Sequence, residues 1–164
     1  MANCATGSNY VGKNVIIGVV PACGDEDPQA QVYLPIGYTN QKDLTVGSQT
    51  TDNTSDDTSG VTSSLVTFLE VSITAAGFAS QSDSITSNQA AIKKYHVGEV
   101  VAGRQPTYWV QVIYPDVTYY VFANVTSTGT SAPTTDAVTF SYEFTATATP
   151  GGSAYAPVIV VDTL

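Results

Sequence analysis

Positive charge is nearly missing from this chain: five Lys and Arg stand against 14 Asp and Glu, a net charge of −9 over 164 residues. Gripping nucleic acid takes clustered cations that neutralise phosphates, so a polyanion binder is excluded. A surface past which a polyanion slides without sticking is not. Charge of either sign is scarce as well, at 12% of residues, about half the usual share. Thr, Ser, Asn and Gln must then carry the solubility. Only two cysteines occur, Cys4 and Cys23, which excludes a disulfide-stapled scaffold and leaves two free thiols as the expectation. With a single histidine, His96, neither zinc-ligand spacing nor a Cys–His pair is on offer. No glycine-rich phosphate loop or G-x-S-x-G elbow is found. The chain is therefore expected to be no enzyme, with no catalytic residues, cofactor or metal.

Long apolar runs are lacking too. The stretch VIIGVV at 15–20 is too short for a signal or membrane-spanning segment and reads as a first strand or an anchor for an N-terminal arm. VPAC at 20–23 resembles a lipoprotein cleavage site, but Pro21 and the short apolar run speak against it. No membrane insertion is expected.

What the chain has is alternation. From 137 to 149, Val138, Phe140, Tyr142, Phe144, Ala146 and Ala148 fall on one face, and Thr139, Ser141, Glu143, Thr145, Thr147 and Thr149 on the other. One face meets a core and the other water, the pattern of antiparallel sheets. Similar strands are read at 31–38, 107–114, 117–126 and 156–162, and the Pro115-Asp116 turn makes the middle pair a hairpin. One helix is read at 84–98, capped by Asp83 or Ser84, with Ile85, Ala91 or Ile92, and Tyr95 inward and Gly98 as its stop. Lys93, Lys94 and His96 would then complement its negative end. The fold class is mainly β: one domain over 1–164, an antiparallel β-sandwich or barrel with one lateral α-helix. Residues 1–30 form an N-terminal arm and first strand.

Between strand-like segments at 42–49 and 65–74 lies TTDNTSDDTSGVTSS, residues 50–64, with only Val61 to bury. Such a run cannot offset its own ordering entropy within one domain. Long loops of this kind are usually functional or disordered. The expectation is an extended arm that orders against a neighbour, carried by Thr51, Asp52, Asn53, Asp56, Asp57 and Val61.

Other candidate sites are weaker. Asp25, Glu26 and Asp27, or Asp52, Asp56 and Asp57, do not match an EF-hand spacing and read as solvated carboxylates. Trp109 with Tyr108, Tyr114, Tyr119 and Tyr120 would suit a sugar-stacking platform. Alternation, however, sets Tyr108 and Trp109 on opposite faces, as core residues or subunit contacts require. Three carboxylates stand inside strands: Asp43, Glu70 and Glu143, each on the polar side. A hydroxyl-rich sheet face punctuated by single carboxylates is wet yet repels polyanions.

The segment GYTNQKDLTVG at 37–47, the Thr/Asp/Ser loop and VSITAAG at 71–77 resemble the major tail proteins, or tail tube proteins, of long-tailed bacteriophages. TDNTSDD at 51–57 stands where that family commonly starts its long loop. Val61 to Leu65 stand where many relatives carry a Trp and a Pro-Gly-Leu-like turn. The resemblance implies a β-sandwich subunit that self-assembles into hexameric, stacked rings around a lumen. The long loop and the arms would reach the next ring. Asp43, Glu70 and Glu143 would line the lumen, and genomic DNA would pass without tight binding. It also implies tape-measure, tail-terminator and distal-tail partners, assembly in the bacterial host cytoplasm and a place in the virion tail. Rival expectations are the inner tube of a contractile injection system, a secreted carbohydrate-binding β-sandwich, and an immunoglobulin-like adhesin or decoration module.

Overall fold

In the computed structural model the described residues are 11–55, 61–81, 83 and 87–163. Alternation builds the sheet as read. In β7 (Thr139–Ala146), Phe140, Tyr142 and Phe144 are buried while Thr139, Ser141, Glu143 and Thr145 are exposed. The remaining strands are β1 (Ile16–Pro21), β2 (Leu34–Pro35), β3 (Thr39–Asp52), β4 (Ser64–Phe78), β5 (Thr107–Ile113), β6 (Val117–Ser131) and β8 (Val158–Asp162). Among the described residues one α-helix, α1 (Gln89–Val101), lies between β4 and β5 in the chain.

All strand pairs are antiparallel, in the order β2-β1-β5-β6-β7-β4-β3, with β8 also on β6. The long strand β6 serves two halves. Its first part pairs with β5 on one edge and β8 on the other; beyond that, β7 takes the second edge as far as Ser131. A bulge between Val125 and Ser127 bends it there. The halves then fold over one core, in which Ile17 and Val19 of β1 and Val110 and Val112 of β5 join Ile73 of β4 and Phe144 of β7. The expected β-sandwich is what forms. VIIGVV docks inside it, since Val15, Ile17 and Val19 are all buried. A smaller cluster of Ala22, Trp109 and Phe122 sits apart, packed by Val20, Tyr33 and Tyr155.

Three expectations need correction. The strand read at 31–38 is reduced to Leu34–Pro35. Pro35 removes a ladder donor, and Gly37 (φ 76°) and Tyr38 (φ 51°) turn the chain out of extended geometry. The helix runs Gln89–Val101 rather than 84–98; residues 84–86, including Ser84 and Ile85, lie outside the described ones. Asp83 still caps it, from a distance, by accepting from the Ala90 N–H at 2.9 Å. Gly98 is interior, and the chain turns off at Gly103 (φ 74°), where the Glu99–Arg104 ion pair at 2.8 Å closes the end. His96 is therefore mid-helix and half-buried, with Nδ1 2.9 Å from Thr128 Oγ1, not a solvated group at the terminus. Finally, the loop read at 50–64 is shorter, because β3 and β4 stay paired out to Asp52–Ser64. Thr50 and Thr51 are β-branched and fit a strand whether or not it has a core to cover.

Candidate functional site

The register gathers the three strand carboxylates on one face. Thr74 of β4 lies opposite Asp43 of β3 on one side and Glu143 of β7 on the other, and Glu143 lies opposite Ser127 of β6. Neighbouring rows are Thr45, Ser72, Thr145, Asn124 and Gln41, Ala76, Ser141, Gly129. Glu70, two and four residues from Ser72 and Thr74, extends the same face where β7 has ended, opposite Gly47. Two strand spacings put Asp43 and Glu143 about 10 Å apart. The Gln49 amide donates to the Glu70 carboxylate.

No cation shares this face among the described residues. Lys42 sits opposite the buried Ala75, on the other side of the sheet, and donates to the Gly12 carbonyl at 3.1 Å. Lys93, Lys94 and Arg104 belong to α1 and its exit. The helix packs on the opposite, core side, where Ile92 is buried among core residues and Tyr142 Oη donates to the Gln89 carbonyl. The result is a surface rich in hydroxyls, with amides and carboxylates and no positive charge among the described residues.

Both edges of this half-sheet are unpaired among the described strands. β3 has β4 on one side only, and β6 beyond Asn124 has β7 on one side only. Such edges are templates for further strands.

Beyond Val71 the β3–β4 pair leaves the sheet as a two-stranded ribbon, since β7 covers β4 only from Ser72 onward. Every residue from 64 to 70 is exposed, including Leu65, Val66, Phe68 and Leu69 at 55–67%. A bulge at Thr67, whose hydroxyl donates to the Gln49 carbonyl, kinks the ribbon. Of the residues read as the arm, Thr51 and Asp52 lie in β3, Asn53 continues the ladder by donating to the Ser63 carbonyl at 3.0 Å, and Val61 is exposed. Asp56 and Asp57 lie outside the described residues. The Asp52 carboxyl is held below its ordinary pKa by hydrogen bonds from the Thr54 hydroxyl and N–H.

The sugar-stacking platform is not formed. Trp109 is fully buried against Phe122, and Tyr108 is buried on the other face. Among the described residues no group of three or more His, Cys, Asp and Glu side chains is gathered as a metal would need. Cys23 is an exposed free thiol; Cys4 lies outside the described residues. No helix among the described residues is long and apolar enough to cross a membrane.

Sequence reasoning missed Gln89. Its side chain is buried, accepts from the Ser80 N–H at 2.8 Å and donates to the carbonyls of Gly37 and Phe78. It pins the helix start to the chain entering β3 and leaving β4. A polar residue at a helix start carries no such message in sequence.

No protein-family model matches the chain, and no curated protein matches its sequence. Solved structures do match, along nearly its whole length. The tail of an empty gene transfer agent particle, refined with C6 symmetry, is 17% identical with a TM-score of 0.64, over 95% of this chain and 100% of that one. The SPP1 tail tube is 12% identical with a TM-score of 0.61, over 95% of this chain and 81% of that one. The six-fold symmetrised baseplate of the anti-feeding prophage is 9% identical with a TM-score of 0.56, over 94% and 97%. The chain has the fold of phage tail tube proteins.

Proposed function

We propose that the chain is the repeating subunit of a phage tail tube. It self-assembles into stacked hexameric rings, and the genome passes through the lumen. The observation that carries this reading is the cation-free face around Asp43, Glu70 and Glu143 on a half-sheet with two open edges. The half-sheet has four alternating strands, so a ring made by rotation about an axis sets β3 of one copy antiparallel to the outer part of β6 of the next. Closing the ring removes both edges. Six copies give a wall of strands about 4.8 Å apart and a backbone diameter of about 37 Å before strand tilt widens it. That leaves room for a duplex once side chains line the wall. A heterologous contact along the axis that does not close then yields a filament.

In this reading the role is structural, with no reaction to catalyse. Tape-measure, tail-terminator and distal-tail proteins are the expected partners, and the expected site is the virion tail, assembled in the bacterial host cytoplasm. The likeness to the baseplate of the anti-feeding prophage supports a second reading, the inner tube of a contractile device. Electron microscopy of the concentrated protein should reveal six-fold rings or tubes with an open lumen. A chain that stays monomeric at all concentrations, or that packs with the carboxylate face outward, would overturn the proposal. DNA inside native particles separates the first reading from the second.

A further inference from the structure

We infer that the exposed ribbon of β3 and β4 docks on the outer face of α1 of a second copy in the adjoining ring. This rests on the tube reading and names the receiving surface, which that reading leaves open.

Two surfaces of the molecule are unpartnered, and they complement each other. The ribbon exposes Leu65, Val66, Phe68 and Leu69, and an isolated two-stranded ribbon is marginal in water at best. Exposed apolar clusters of this kind mark interaction surfaces. On α1, Val97, Val100 and Val101 are exposed at 59%, 55% and 81%, with Lys93 and Lys94 one turn nearer the helix start. The helix packs Ile92 and Tyr95 toward its own core, so this stripe has no work inside the subunit.

Charge selects the pairing. From Asp43 to Ile92 the chain has no Lys, Arg or His, so the ribbon has no cation at all. Three of the five cations lie at Lys93, Lys94 and Arg104, and Arg104 is already paired with Glu99. Lys93 and Lys94 have no ion pair among the described residues. At the outer end of the ribbon the Asp52 carboxylate is exposed, opposite Ser64.

The dimensions agree. From Ser48, opposite Leu69, to Asp52 is about 14 Å at strand rise. From the middle of the valine stripe to Lys93 and Lys94 is about 8 Å at helix rise, and the lysine stems span the remainder. Leu69 and Val66, which share a face of the ribbon with Asp52, then cover the valines while Asp52 meets the ammonium groups. The apolar cleft of about 420 Å³ lined by Leu69, Ala146, Ala148, Pro157 and Val158 is the competing receptor, but it offers the ribbon no cation.

The test uses the full chain with Cys4→Ser and Cys23→Ser, carrying either Val66→Cys or Val97→Cys, both exposed positions. Tubes assembled from a mixture, one variant tagged, are treated with a short thiol cross-linker. A tagged–untagged heterodimer band is expected in the mixture and not with either variant alone. In parallel, Lys93→Glu with Lys94→Glu should raise the concentration needed for tubes at least tenfold. Adding Asp52→Lys should recover most of that loss. Tubes that form normally but give no Val66–Val97 heterodimer would overturn the inference while leaving the tube reading intact. So would a Val66→Cys heterodimer with Ala148→Cys instead, or a lysine reversal without effect or without rescue. Failure of the unsubstituted chain to form rings or tubes would overturn both readings together.

Discussion

At Gly77 the chain runs so close to the entry of β3 that a β-carbon would lie 2.1 Å from the Tyr38 carbonyl oxygen. That oxygen already accepts from the Phe78 N–H, and Tyr38 holds a positive φ. Neither backbone can yield cheaply, so Gly77→Ala should lower stability by about 3 kcal/mol, the upper range of overpacking costs. Gly129→Ala is the control: its nearest neighbour would be 3.5 Å away, and the change should stay within about 0.5 kcal/mol. Urea denaturation of the two variants measures the difference; equal losses would mean the close approach is relieved by local movement. The tyrosines give a second outcome at this scale. Burial pushes the Tyr142 hydroxyl up to about 12, aided by the charge of Asp83, and burial also raises Tyr33 and Tyr108. A raised folded-state pKa means the folded chain keeps its protons while the unfolded chain, near 10, gives them up. The stability these groups contribute is complete below pH 10 and is lost as pH rises through 12 and beyond. Absorbance at 295 nm should accordingly show a late, cooperative ionisation step that coincides with loss of the circular dichroism signal. A simple non-cooperative titration complete by pH 11, with the fold intact, would contradict this.

Gly98 and Gly103 separate what a helix needs inside from what it needs at its end. Gly98 is interior, with open space where a β-carbon would go, so Gly98→Ala should stabilise the chain by about 0.5–1 kcal/mol. Gly103 also has open space, but its φ of +74° penalises any side chain, and Gly103→Ala should cost about 1 kcal/mol. Opposite signs of the two shifts in thermal midpoint check the assignment of the helix end. From sequence the two glycines look alike; only the carbonyls of Gly98 and Val100, taken up by Ala102 and Gly103, tell which one ends the helix. The same limit runs through the elements. β7 was legible because its two faces differ in every residue, so parity alone assigns Phe144 inward and Glu143 outward. The last residues of β3, Thr50 to Asp52, were not, because they have no buried face and owe their strand state to pairing with β4. Parity also placed Asp43, Glu70 and Glu143 on polar faces. That Thr74 stands between two of them depends on strand register, which no local pattern encodes. Gln89 stayed hidden for a related reason: its partners Ser80, Gly37 and Phe78 come from three separate places in the chain.

At the scale of the whole molecule, charge is distributed rather than merely scarce. One face carries carboxylates among uncharged residues, with no cation among the described residues, while the cations are kept to the helix, its exit and the N-terminal region around Lys13 and Lys42. Repeated around a ring, Asp43, Glu70 and Glu143 would form belts of negative potential close to a passing polyanion. Repulsion across about 10 Å is already heavily screened at physiological salt. The belts should therefore prevent adhesion rather than steer from a distance. Phosphate contacts strengthen steeply as salt falls, each contributing to the slope of affinity against salt. Tubes of the unsubstituted chain should retain no short DNA duplex at physiological salt. Tubes of Glu70→Lys with Glu143→Lys should retain it, with a retention that falls linearly on a log–log plot as salt rises. Both positions are exposed, so the fold and the rings should survive the change. Charge-reversed tubes that assemble and still bind no DNA would place the carboxylate face away from the lumen. Loss of assembly in the double variant, with Asp43→Asn tubes unaffected, would instead place Glu70 and Glu143 at contacts between subunits.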